Sequence, residues 1–443
     1  MTERADRKAI FSWMLYDWAS QPYHTLIVTF IFAPYFTAYV ADSAVSGQTL
    51  WGYAAATGGV LVALMAPVFG AMVDASGPRK PWIALFSILL VVGCAFLFFA
   101  TPGGTAPVFW ILAAFVVATI GVEMTTIFTN AMMPTLVPRA DLGKLSGSGW
   151  ALGYVGGLIA LIFMLTLMSA DAETGKTLIG ISPIFGLDPA TYEGDRASGP
   201  LSAIWYLVFI LPLFFFTPDA PRTPNAPSIS EGLKGLWQTL KSLPTRGSYF
   251  TFLITSMLYR DGLNALYAFG GIYAAGVLKM SIIQIGIFGI LAAITGAIGA
   301  FVGGRLDARF GPRPVVFVSC WLLVLASLLV VSTTPDVTLF TIPISEGTPT
   351  IIFYIAGMII GAAGGTLQAA SRTLLVDQVG KDETTEAFGL YALTGKATSF
   401  IGPFLVAIVT SISQSQRIGI TPIIVLLAIG ALGLYGVRQY GDK

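Results

Sequence analysis

The chain has 443 residues, 55% of them hydrophobic and only 11% charged, with a mean hydropathy of +0.78 and a formal net charge of +1. A soluble domain carries about 25% charged residues, so this composition excludes a water-coated globule and makes lipid the solvent for most of the surface. The near-zero net charge offers no bulk field for nucleic acid, and a single histidine, His24, argues against a haem or multi-histidine metal enzyme.

Apolar runs long enough to cross a bilayer lie near 11–40, 51–73, 82–100, 108–133, 146–168 and 201–217, and again near 249–274, 283–305, 314–333, 350–374, 386–411 and 419–437. They are continuous, unlike the alternating ten-residue segments of an outer-membrane barrel. The 49 glycines suit closely packed membrane helices. The first run contains Asp17 and is too long for the apolar core of a signal peptide, so it reads as the first span. Cys94 and Cys320 fall inside apolar runs and read as small buried hydrophobes. Residues 218–248 form a proline-rich linker, then a stretch with Leu233, Leu236, Trp237 and Leu240 on one helical face, suited to a membrane surface. The expected fold is an all-α membrane protein of twelve transmembrane helices in two pseudo-symmetric six-helix bundles, 1–217 and 249–443, joined by that linker. Seventeen lysines and arginines fall on the side of the termini and four on the other, so both termini are expected to be cytoplasmic.

The halves repeat. Gly70–Pro81 reads GAMVDASGPRKP and Gly303–Pro314 reads GGRLDARFGPRP, which places Asp74 and Asp307 233 residues apart. GWALGYVGG from Gly149 answers GLYALTGKA from Gly389 at an offset of 240, and YDWASQPY from Tyr16 answers YRDGLNALY from Tyr259 at 243. The G-x-x-x-D-x-x-G-x-R-K element after the second run, with its second copy, resembles the signature of the major facilitator superfamily. That resemblance implies a cytoplasmic latch at Gly70, Asp74, Gly77, Arg79 and Lys80, echoed by Asp307, Gly311 and Arg313. A tight turn carrying positive-inside charges accounts for the same residues.

Within the superfamily the chain is similar to the vacuolar autophagy-related effluxer group and its bacterial relatives, through YDWASQPYHTLIVTFIFAPYF, NAMMPTLVPRADLGKLSGSGWALGYVGG and GGTLQAASRTLLVDQVGKDETTEAFGLYALTGKATSFIGP. Ser20-Gln21 stands where that group carries Asn-Ser, and Arg260 where asparagine is common. The yeast-type relatives imply amino-acid efflux. The resemblance also implies a functional monomer.

A charge at the bilayer centre costs about 2.5–3.5 kcal/mol on insertion scales, so each marks a functional candidate. Spans one, four, seven and ten hold Asp17, Glu123, Arg260, Asp261 and Arg372; only Lys396, in span eleven, falls elsewhere. Every third span is polar, as a three-plus-three repeat produces, and the resemblance implies that these four helices line a central cavity. At 1.5 Å per residue, Glu123, Arg260 and Lys396 lie roughly 15 Å deep and form the candidate binding layer, with Asp17, roughly 9 Å deep, and Arg372 nearer the inner gate. Helical spacing adds Gln21 and His24 to Asp17, Asn130 to Glu123, Asn264 to Arg260 and Gln368 to Arg372. His24 reads as a polar lining residue or a proton relay. Three acids and three bases neutralise each other as structural pairs, and they equally suit a zwitterionic substrate. Tyr16, Trp13, Trp18 and Tyr23 fit packing, the membrane interface, or stacking on a substrate.

No phosphate loop, metalloprotease motif or nucleophile elbow occurs, so neither an ATP-driven pump nor an enzyme is expected, and no cofactor. The leading expectation is a secondary active transporter of a small polar, zwitterionic solute such as an amino acid, coupled to H⁺ through Glu123, Asp17 or Asp261. The alternatives are a carrier of lipids, peptides or drugs, and a non-transporting receptor on a transporter fold.

Overall fold

A computed structural model describes residues 5–103, 107–138, 142–219, 237–238, 241, 243–335, 342–345, 347–379, 384–439 and 441, without the side chains of 70–76, 134, 142–144, 384–386 and 389. Leu233, Leu236 and Leu240 of the expected surface helix lie outside the described residues, as do the surroundings of Gly70 and the side chain of Asp74; Trp237 is exposed.

Eleven stretches among the described residues are long and apolar enough to cross a membrane. Span one runs Arg7–Val40; spans two to six follow at Ala44–Ser76, Lys80–Phe96, Val108–Asn130, Leu142–Phe163 and Ser198–Phe216. Spans eight to ten are Ile282–Phe310, Pro312–Ser332 and Thr348–Gln378, and span twelve is Thr421–Gly433. Span seven, Gly247–Gly276, stands outside the eleven. Its 30 residues reach roughly 45 Å, but Arg260 and Asp261 sit at mid-length.

Two spans are broken where proline dictates. Pro22 has no N–H to give to the Trp18 carbonyl. The ladder of span one loosens into wider turns over Tyr23–Phe30, and the Trp18 carbonyl instead accepts the Trp205 indole N–H at 3.0 Å. The expected single helix at 386–411 is two helices, Thr384–Ala397 and Ile401–Ser413. Pro403 cannot bond the Ser399 carbonyl and crowds it, so the chain turns out of the helix at 398–400. Span two also begins earlier than the hydropathy suggests, because the polar turn around Gln48 is helical and buried.

Contacts divide the chain into two units, Met1–Val40 with Thr57–Gln238, and Ala41–Ala56 with Thr239–Lys443. In the first unit span one packs on five and six, and span three on four and six. In the second, span seven packs on eleven and twelve, and span nine on ten and twelve. The four pairings are the same, so the repeat in sequence is a repeat in packing. Gly77 and Gly311 close the matching turns with φ of 87° and 83°, a region where a Cβ is disfavoured.

Spans eight and ten approach until backbones touch. A Cβ built on Gly299 falls 2.6 Å from the Ala362 Cα, whereas one built on Gly304 meets nothing within 4 Å. In lipid such seams hold helices together by van der Waals packing. Gly299→Val is expected to cost about 1–3 kcal/mol and to lower the melting midpoint of the detergent-solubilised protein. Gly304→Ala should leave that midpoint unchanged.

Candidate functional site

In the first unit, span one is pinned to span four by aromatic donors. The Trp13 indole donates to the Thr129 carbonyl at 2.8 Å, and the Tyr16 hydroxyl meets both Thr125 and Thr126 Oγ1 at 2.8 Å. One residue is about 100° of helix, so pinning Tyr16 to span four turns Asp17 toward span five. There it meets glycines at i, i+4 and i+8. The Asp17 carboxylate lies against Gly149, its Cβ is 3.1 Å from where a Cβ on Gly153 would stand, and Gln21 and Thr25 crowd Gly157. The half-buried Asp17 carboxylate takes no hydrogen bond or ion pair among the described residues.

Thr25, rather than the expected His24, continues the Asp17–Gln21 face, because the interlocking with span five recurs at i+8. His24 is half-buried, with its ring edge-on to Tyr23 at 5.4 Å. Glu123 is half-buried on span four near Tyr23, whose hydroxyl bonds Thr119 Oγ1 at 2.7 Å. Asn130, expected to line up with Glu123, is the exposed last residue of its helix.

The second unit repeats the frame with other chemistry. The Tyr259 hydroxyl meets Ser371 Oγ on span ten at 2.8 Å, as Tyr16 meets the span-four threonines. Arg260 then takes the position of Asp17. Its Nη1 donates to the Tyr391 carbonyl at 2.7 Å, its guanidinium lies 3.9 Å from the Tyr391 ring centre, and Gly395 leaves room for it. Asp261, 3% exposed, reaches Thr398 in the break of span eleven. Both neighbouring charges therefore engage span eleven, although they stand about 100° apart on their helix. Lys396 is half-buried just before the break. Gln368 and Arg372 are half-buried on span ten, and Asn264 is exposed. Tyr391, Thr398 and the glycines at 149, 153 and 395 were not singled out from sequence as site residues. The signal was the four-residue glycine spacing in GWALGYVGG.

The Gly-Pro-Arg turns are built alike. Lys80 Nζ donates to the Phe214 carbonyl at 2.8 Å at the end of span six, and Arg313 Nε to the Leu434 carbonyl at 3.0 Å at the end of span twelve. The Asp219 carboxylate caps span three through the Arg79 and Lys80 amides at 2.8 and 3.0 Å. Arg79 also bonds its own turn at the Gly77 carbonyl, Gly311 lies against Gln439, and Asp307 is buried.

Residues 39–440 match the profile of a family described as vacuole effluxer Atg22 like. The chain belongs to this Atg22-like family. An uncharacterised MFS-type transporter of Bacillus subtilis, YxiO, is 24% identical over 97% of this chain and 94% of its own length. Autophagy-related protein 22 of Cryptococcus neoformans is 22% identical over 65% of this chain, a match that spans 51% of the fungal protein. A crystallised D-xylose–proton symporter superposes with a TM-score of 0.71 at 15% identity, covering 98% of this chain and 99% of the symporter. The nucleoside transporter NupG gives 0.68 at 13% identity, with 97% and 98% covered. This Atg22-like chain thus has the major facilitator fold and is a multi-pass membrane transporter. In its sequence the opposed charges of Asp17 and Arg260 stand 243 residues apart, at equivalent places of the repeat.

Proposed function

We propose that the protein is a secondary active carrier of small zwitterionic solutes, of which α-amino acids are the simplest, working by alternating access with both termini in the cytoplasm. The observation that carries this reading is the pair Asp17 and Arg260. They occupy matching positions in the two bundles, each set on the glycine face of the fifth helix of its own bundle, and they differ in sign. The first unit offers an acceptor for an ammonium group. The second offers a guanidinium, the side chain best suited to a carboxylate. A merely structural role for these charges predicts mutual satisfaction inside each bundle, yet the Asp17 carboxylate has no partner among the described residues.

A second reading, an amphipathic cargo, draws on an apolar groove of about 510 Å³ in the first unit beside Leu15, Trp18, Leu152, Phe209 and Pro212. One experiment separates the two. Purified protein in proteoliposomes is loaded with unlabelled amino acid and offered labelled amino acid outside. Exchange that is blocked by other amino acids but not by their amine-only or carboxylate-only analogues is expected. Exchange blocked by amphiphiles alone would replace the zwitterion reading with the second.

A further inference from the structure

Asp261 has no equivalent in the first bundle, where the repeat places Trp18 at the matching position. The break in span eleven has none either, since span five is continuous over Leu142–Phe163. The two departures from symmetry meet at one point. Asp261 is 3% exposed, its Oδ1 has no hydrogen-bond partner, and its carboxyl lies within reach of the Thr398 hydroxyl in the break. That hydroxyl also stands 3.1 Å from the Thr394 carbonyl, and its single hydrogen turns to either acceptor. The same hydroxyl bonds the Asp261 carboxyl; it donates to the ionised form and accepts from the protonated one. Asp261 Oδ1 is left without a partner, and an incompletely paired carboxylate buried in the membrane is costly.

We infer that Asp261 is the proton-carrying group of this transporter, with Thr398 as the acceptor of its carboxyl O–H; the inference rests on the carrier reading above. A hard metal cation gathers about six or more oxygens, whereas the side chains at the break offer the Asp261 carboxyl and the Thr398 and Ser399 hydroxyls. Arg260 on the same helix is the charge that acts on Asp261; Tyr391 and Lys396 stand on span eleven, and Arg372 on span ten follows the serine that holds Tyr259. Span twelve, packed on Gly262 through Leu427, carries no titratable side chain. Charge bookkeeping then couples the two cargoes. With Asp261 ionised, the Arg260–Asp261 pair is neutral and has no call for a solute carboxylate. With Asp261 protonated, the pair carries one positive charge, which the solute carboxylate cancels. Each cargo strengthens the other by the same factor, as linkage requires. One proton is bound from one face and released to water at the other, and no other bond changes.

The test combines labelling with transport. Dicyclohexylcarbodiimide attacks protonated carboxyl groups in apolar surroundings and leaves a stable adduct that mass spectrometry locates. For the full chain in lipid nanodiscs, labelling at Asp261 is expected to be severalfold greater at acid than at alkaline pH, and indifferent to sodium. In proteoliposomes Asp261→Asn is expected to lose amino-acid accumulation against a pH gradient. Exchange, which moves no net proton, should remain detectable and shows that the variant is folded. Protection of Asp261 by sodium would overturn the proton and make this a sodium site. A wild-type protein that exchanges amino acids but ignores the pH gradient would overturn the proton assignment and leave the zwitterion reading standing. Acid-dependent labelling without any amino-acid exchange would keep the proton on Asp261 and sink the zwitterion reading instead.

Discussion

Arg260→Ala is expected to reduce amino-acid exchange about 100-fold or more and to move the melting midpoint little. The two halves of that expectation have separate causes. An arginine inside a membrane costs about 2.5–3.5 kcal/mol. Its hydrogen bond to the Tyr391 carbonyl returns about 1.5–3 kcal/mol, as bonds to charged groups do, and stacking on the Tyr391 ring about 0.5–2 kcal/mol. These terms nearly cancel, so with Asp261 protonated, removing the side chain leaves the fold near its starting stability. Losing a charged partner for a solute carboxylate, by contrast, costs about 2–5 kcal/mol of binding, and about 2.7 kcal/mol is a hundredfold. Arg260→Lys should fall close to the alanine variant, because an ammonium neither forks to a carboxylate nor stacks flat on the ring. Exchange assays set beside thermal melts of the same preparations check this. A variant that melts far lower, with exchange lost in proportion, would make Arg260 a structural residue.

Asp17→Asn should separate amino acids from their des-amino analogues. The change keeps the side chain's volume against Gly149 and Gly153 and removes only the charge. Because the carboxylate has no partner among the described residues, no ion pair inside the bundle is broken, and stability is expected to hold or rise. Affinity for an amino acid should drop about 30- to 100-fold, the loss of one charge-assisted contact of about 2–3 kcal/mol. Affinity for the analogue that lacks the amine should stay where it was. Competition curves against a labelled amino acid measure both. Equal losses for the two ligands would mean that Asp17 shapes the site without touching an ammonium group.

Much of the architecture was legible in the chain because lipid imposes a simple rule. Each span must be about twenty apolar residues long, and every backbone group must be bonded within its own helix. Hydropathy therefore reveals the spans, and intramembrane charges stand out against them. Listing Asp17, Glu123, Arg260, Asp261, Arg372 and Lys396 as intramembrane charges needed no coordinates. Where the ladder is interrupted was less visible, although Pro22 and Pro403 were in plain sight. A proline inside an apolar run disturbs hydropathy hardly at all, and its effect depends on what accepts the freed carbonyl. In span one that is Trp205, nearly two hundred residues away.

The sequence by itself determined the membrane class, the repeat and the list of intramembrane charges, since each follows from composition and spacing along the chain. Only the tertiary structure decided where those charges point. Tyr16 and Tyr259 lock the rotation of spans one and seven by bonding hydroxyls on spans four and ten. That rotation turns Asp17 and Arg260 onto glycine faces and Asp261 onto the break in span eleven. Helical periodicity shows which residues share a face, but the direction of the face is a property of the neighbouring helices. Here the neighbours contribute a hydroxyl, a missing side chain or a lost turn, features too small to register in the hydropathy of a single segment.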